Sequence, residues 1–250
     1  VSAVPWVVGA LADEHSRLVW WAAAAAIDLL GMRLRHPVPG LPVPGRDEID
    51  FDLPHQIERC QLFLIICLGE AILTTGSAII HGLDEPLVVV TGVASLLVII
   101  GVWGLFFGPA NEEHVLAPMA SESHGDDPAS NVSLAILATN GQQGLVLGMV
   151  AFAVGAEVVV AGPAGPLRPA AVAALFGGIV TCVTAFWYFL VRSTGHRVWI
   201  SLAVSDAVLI GAAAVSAIVG LPGIAVMGLL VVVTASTALG FNRETRRLAR

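Results

Sequence analysis

His55, Glu58, Arg59 and Glu70 sit in a run that is otherwise apolar enough to enter a bilayer, HQIERCQLFLIICLGEAILTTG from His55 to Gly76. An ionisable side chain in a bilayer costs about 2.5–3.5 kcal/mol on insertion scales and more in simulations, so it survives facing a partner, a cavity or a pathway. At about 100° per residue, Arg59, Glu70 and Ser77 fall within about 60° of His55 on one helical stripe, with Glu58 at its edge. Arg59 and Glu70 are about 16 Å apart along the axis, too far to pair directly. Each therefore needs a partner on another helix or a water-filled cavity. Gly69 and Gly76, near the Glu58 edge, are expected to let another helix come close.

Glu70 has the chemistry of a cation or proton site near mid-membrane; the structural alternative is an interhelical hydrogen bond or ion pair that fixes packing. Asp206, eight residues into its own apolar run beside Ser201 and Ser205, is the second carboxylate and pairs with Arg59 on the structural alternative. His55, Glu58 and Arg59 stand at i, i+3 and i+4 and can touch one another. Asp28, Gln142 and Glu157 are secondary candidates, Asp28 and Glu157 near helix ends where water can solvate them.

Helices must carry these groups. Of 250 residues, 56% are hydrophobic and 12% charged, and the mean hydropathy is +0.85. A soluble domain carries about twice that charge fraction, and the apolar runs recur at the roughly 20 residues that cross a bilayer. The fold class is an all-α, polytopic transmembrane helical bundle, expected as one domain over 1–250. A partial span over 1–12 precedes seven complete ones: 18–32, 56–80, 87–107, 141–161, 169–191, 198–219 and 221–241. Asn131 to Asn140 can extend the fourth of these, and 242–250 forms a basic tail. The chain opens on Val1 in mid-helix composition, so it is expected to be a fragment.

Other chemistry is weakly represented. The prolines between His36 and Pro54 preclude a continuous helix there. The acidic stretch from Gly108 to Pro128 holds Glu112, Glu113, His114, His124, Asp126 and Asp127 without the spacing of a ligand motif, and is expected to be solvated rather than to bind metal. Cys60, Cys67 and Cys182 read as small apolar side chains. No phosphate loop or nucleophile elbow is present, so neither an enzyme nor a cofactor is expected. The net charge of −7 excludes a basic nucleic-acid face; the expected partners are membrane lipids and a small ion or polar solute.

All twelve basic residues are Arg. Arg33, Arg35, Arg46, Arg192, Arg197, Arg243, Arg246, Arg247 and Arg250 collect on one side of these spans, whereas Arg17 and Arg168 fall on the other. The positive-inside rule makes the Arg-rich side, with the C-terminus, cytoplasmic.

The pattern HxxER followed by LF, II, LGE, Ile and Gly resembles the signature of the low-temperature-requirement A (LtrA) family of bacterial membrane proteins. It falls on His55, Glu58, Arg59, Leu62, Phe63, Ile65, Ile66, Leu68, Gly69, Glu70, Ile72 and Gly76. WGLFFGPANEEH, from Trp103, is similar to the family's WWLYFD-x-x-EE stretch, and GLVLGMVAFAVGAEVV, ending past Glu157, to a later segment. Gly108 stands where the family usually carries Asp, and Gln142 roughly where it tends to carry His; an ELFFDLVF-like first helix is missing. The resemblance implies a bacterial inner-membrane protein linked by family name to growth in the cold, without an assigned biochemical activity. The residues themselves point to a permease- or channel-like protein in which Glu70 binds a cation or proton, Arg59 sets its charge state, and Asp206 completes the site. The alternative is a non-transporting scaffold whose buried charges only fix helix packing.

Overall fold

The computed structural model describes residues 2–34, 53–108, 128–194 and 200–248. The Pro-rich stretch and the acidic stretch, with its six candidate metal ligands, lie outside the described residues. Among the described residues eight helices form and no strand does. The chain divides into two compact units, Val1–Ile49 and Asp50–Arg250, where the sequence suggested a single domain.

The first unit is a helical hairpin of α1 (Ala3–Leu11) and α2 (Glu14–Arg33). Asp13 starts α2 by accepting a hydrogen bond from the Ser16 backbone N–H at 3.3 Å, the usual remedy for an unpaired N–H in a first turn. Trp6 packs against Trp21, ring centroids 6.4 Å apart, and its indole N–H donates to Asp28 at 3.1 Å. Asp28 is thus tied into the hairpin. The expected span 18–32 is helical, but α2 is not among the six helices long and apolar enough to cross a membrane. Arg17, Asp28 and His15 within twenty residues dilute its apolar character.

The second unit holds those six: α3 (Leu53–His81), α4 (Pro86–Phe106), α5 (Pro128–Ala161), α6 (Pro169–Thr194), α7 (Ile200–Val219) and α8 (Gly223–Leu248). Proline opens α4, α5 and α6, where its missing N–H costs no helical bond and its fixed φ suits the first turn. Gly220, at φ 70°, makes the α7–α8 turn that residues with a Cβ adopt only under strain. α8 stays helical through Leu248, so most of the basic tail continues the last span.

α5 is the hub, packed against α6, α3 and α4. Its contact with α6 is made backbone to backbone. A Cβ at Gly148 would sit 2.5 Å from the Gly178 carbonyl oxygen, and one at Gly178 would sit 2.6 Å from the Gly148 oxygen. Small residues matter here because lipid tails supply no hydrophobic force between helices, so close van der Waals packing must. Gly69 and Gly76 behave otherwise: the space beside each is empty to 4 Å. Among the described residues, no helix comes into contact at these two positions.

The core draws on all six helices, with Leu68, Ile99, Phe152, Leu175, Leu202 and Leu230 buried in it; between α4, α6 and α8, Phe186 stands edge-on to Phe106 at 4.4 Å and to Phe241 at 5.3 Å. Hydroxyls join the remaining helices, Thr75 of α3 to Ser95 of α4 at 3.4 Å and Ser205 of α7 to Thr237 of α8 at 2.6 Å. The α5–α6 turn meets the α7–α8 turn through backbone bonds from Gly223 to Gly165 and from Ile224 to Pro163. At the other end, Glu244 of α8 accepts the N–H groups of Ile200 and Ser201 at 2.9 and 3.1 Å. A carboxylate from one helix therefore caps the positive end of another.

Gly148→Leu should lower bundle stability by about 1–3 kcal/mol by overpacking, read as a fall in Tm in detergent. Gly177→Ala, whose added methyl meets nothing within 4 Å, should leave Tm unchanged. Glu244→Ala should cost about 1–2 kcal/mol by uncapping α7; a Tm equal to wild type would contradict the cap.

Candidate functional site

The α3–α5 seam is set by a hydrogen bond from the Gln56 amide to the Thr139 hydroxyl at 3.3 Å. Because α3 and α5 run parallel, this bond brings residue i of α3 level with residue i+83 of α5. Arg59 then lies level with Gln142, and Thr74 with Glu157, so Glu157 is about one turn from Glu70. On α5, Thr139 and Glu157 share a face, while Gly148 and Gly155 lie about 180° round, against α6.

Two hollows open along this seam. One, of about 650 Å³, is bounded by α3, α4 and α5 at the His81 end and is lined by Glu70, Thr74, Ser77, His81, Glu85 and Glu157. The Thr74 hydroxyl donates to the Glu70 carbonyl at 2.9 Å, which leaves its oxygen lone pairs available as acceptors. His81 Nδ1 lies 2.7 Å from the Ser77 carbonyl. A carbonyl can only accept, so Nδ1 carries the proton and donates to it. Three carboxylates and one imidazole thus surround one space. No three His, Cys, Asp or Glu side chains among the described residues are close enough to chelate a metal ion. The arrangement suits a cation that keeps part of its water shell.

The second hollow, about 580 Å³, lies between α3 and α5 at the His55 end, with Gln56, Arg59, Thr139, Gln142 and Gln143 at its polar edge. Phe63, Val146, Leu147 and Val150 line the remainder. His55 Nδ1 is 3.8 Å from Glu58 Oε2, both side chains well exposed. Arg59 forms no ion pair among the described residues and faces the cleft instead.

The structure therefore brings Glu70 and Glu157 together and keeps Arg59 with Gln142. It does not join the two sets into one compact site, because the roughly 16 Å between Arg59 and Glu70 is filled by apolar side chains. Asp206 stands apart from both. It lies on α7, which packs against α6 and α8, whereas α3 packs against α4 and α5. Its Oδ2 accepts the Thr184 hydroxyl at 2.8 Å, and Arg59 is not its partner. His81 and Glu85 were missed in the sequence. Extending the stripe from Glu70 by eleven residues reaches His81 within about 20°; Glu85 becomes part of the site only through the turn before Pro86.

Residues 1–238 match the family of bacterial low temperature requirement A proteins (LtrA). The chain is 29% identical over 163 residues to the uncharacterized protein RA0937 of Rhizobium meliloti (strain 1021). That match covers 65% of this chain and 38% of the relative, so the chain spans well under half of that protein's length. No solved structure matches. With six apolar spans and a family match running from residue 1 to 238, the chain belongs to the bacterial low-temperature-requirement A family of membrane proteins.

Proposed function

We propose that this protein is a permease- or channel-like carrier of a small cation or polar solute, with the acidic hollow between α3, α4 and α5 as its binding vestibule. The observation that carries this reading is the meeting of Glu70 and Glu157, 87 residues apart in sequence, on one 650 Å³ hollow. Carboxylates in a spanning segment are costly unless water or a counter-ion reaches them. Its three carboxylates, Glu70, Glu85 and Glu157, can only accept when ionised, which favours a cation or a hydrogen-bond donor. The Arg-rich end of α3, α6 and α8 faces the cytoplasm of a bacterial inner membrane on the positive-inside rule, so the hollow opens to the opposite side. The aromatic contacts of Phe106, Phe186 and Phe241 fill the bundle toward the cytoplasmic end. Passage then requires helices to move, which favours a gated permease over an open pore.

Scaffolding is the second reading, and one observation favours it. Asp206 is absorbed by an interhelical bond to Thr184, the behaviour of a charge that fixes packing. That bond concerns α6 and α7; Glu70 has no comparable side-chain partner on another helix among the described residues. Neither an enzymatic role nor a cofactor is part of the proposal.

The test is cation flux into proteoliposomes under an imposed potential. Glu70→Gln should reduce flux by roughly tenfold or more, the effect of removing one carboxylate from a poorly solvated site, with Tm near wild type. Asp206→Asn should retain flux, because an amide oxygen still accepts from Thr184. Wild-type protein that is folded and passes no cation would favour the scaffold.

A further inference from the structure

We infer that the second hollow, between α3 and α5 at the Arg59 end, is a binding site for an anionic phospholipid, with the phosphate on Arg59 and Gln142 and an acyl chain against Phe63, Leu147 and Val150. The inference is independent of the transport reading, since it uses neither Glu70 nor the acidic hollow.

Polarity changes along the cleft in the same sense as in a lipid. Arg59, Gln142 and Gln143 are six to fifteen residues from the starts of α3 and α5, whereas Phe63, Leu147 and Val150 lie one to two turns deeper. Phe63 is 47% exposed, Leu147 65% and Val150 54%. In helices that cross a membrane these faces meet acyl chains, so the cleft's apolar half is occupied by lipid as a matter of course. What distinguishes it is the cation above them. Glu58, the neighbouring acid, lies on the exposed side of α3 beside His55, and Glu244 is committed to the start of α7. Arg59 lines the cleft together with the amides of Gln142 and Gln143 and forms no ion pair among the described residues. A phosphate accepts from guanidinium and amide N–H groups alike, and Arg matches its geometry with two parallel bonds.

The wider field points the same way. The parallel pairing of α3 with α5, followed by alternating helices, puts Arg192, Arg243, Arg246 and Arg247 at the same end of the unit as Arg59. Basic clefts between spanning helices are the sites that hold acidic headgroups. A soluble phosphate would use the polar edge alone and leave the apolar half without a role; a phospholipid uses both.

The experiment delipidates the full chain in detergent and titrates it with phosphatidylglycerol or with phosphatidylcholine of the same acyl chains. Inorganic phosphate and glycerol phosphate form separate arms. Retained lipid is counted by native mass spectrometry, and Tm is followed in parallel. Phosphatidylglycerol should be retained and raise Tm, with phosphatidylcholine and the soluble phosphates doing neither. Arg59→Gln should weaken retention roughly fivefold, and Leu147→Trp, which fills the apolar half without altering charge, should also weaken it. Equal retention of the two lipids would overturn the inference, as would Arg59→Gln binding like wild type. Full competition by inorganic phosphate would reassign the cleft to a soluble anion. Should Arg59→Gln fail to fold, the lipid comparison on wild type and Leu147→Trp still decides.

Discussion

The closeness with which α5 approaches α6 governs the rest of the bundle. Water drives apolar faces together in soluble proteins; within a bilayer that force is absent, and helices associate through tight packing and interhelical hydrogen bonds. The reciprocal contact of Gly148 and Gly178 supplies the packing. Cys182 adds a weak donation from its thiol to the Leu145 carbonyl at 3.4 Å. With one face of α5 held this way, the opposite face, carrying Thr139, Gln142 and Glu157, is free to form the seam with α3. Widening the α5–α6 contact would shift every polar group on that seam.

Along the seam, charge is segregated by depth. Arg59 and its amide neighbours occupy one end, Glu70 and Glu157 the other, and aliphatic and aromatic side chains the interval. Direct pairing of Arg59 with Glu70 would have neutralised both and left an inert structural bridge. Separation leaves each charge without the other as its counterpart, which is the premise of both proposals: an anionic headgroup for the cation, a cation or solute for the acids. Asp206 illustrates the other outcome. A hydroxyl from Thr184 on the adjacent helix is within reach, and the carboxylate accepts from it across the α6–α7 contact.

Much of this was written in the sequence. Apolar runs of bilayer length locate all six spans, and four of them (α3, α4, α6 and α7) to within about three residues at each end, because nothing but a helix satisfies its own backbone in lipid. The helical stripe through His55, Arg59, Glu70 and Ser77 correctly puts Arg59 and Glu70 on the same side of α3. Other features escape local reading. The start of α5 is obscured by Ser130, Asn131, Ser133, Thr139 and Asn140, which are polar yet helical; Asn131 to Asn140 could only be offered as an extension. Which helix receives the stripe depends on tertiary pairing, so Glu157 was a minor candidate and Glu85 none at all. Gly69 and Gly76 have the composition of a contact surface without a neighbour, whereas Gly148 and Gly178 form one. Spacing cannot distinguish these cases, because a glycine reports only that an approach is permitted. The capping of α7 by Glu244 joins residues 44 apart and leaves no local pattern.

Water access to Glu70 is the claim on which the account turns, and it can be read by chemical labelling. In a background with Cys60, Cys67 and Cys182 replaced by Ala, single cysteines are placed at Glu70, which lines the acidic hollow, and at Ile66, 65% exposed one turn away and outside it. Both are treated with a membrane-impermeant maleimide in sealed vesicles of each orientation. The account predicts rapid labelling at position 70 from the His81 side only, with position 66 protected by lipid. Protection of both positions, or equal labelling of both, would contradict a water-filled hollow and leave Glu70 a packing charge.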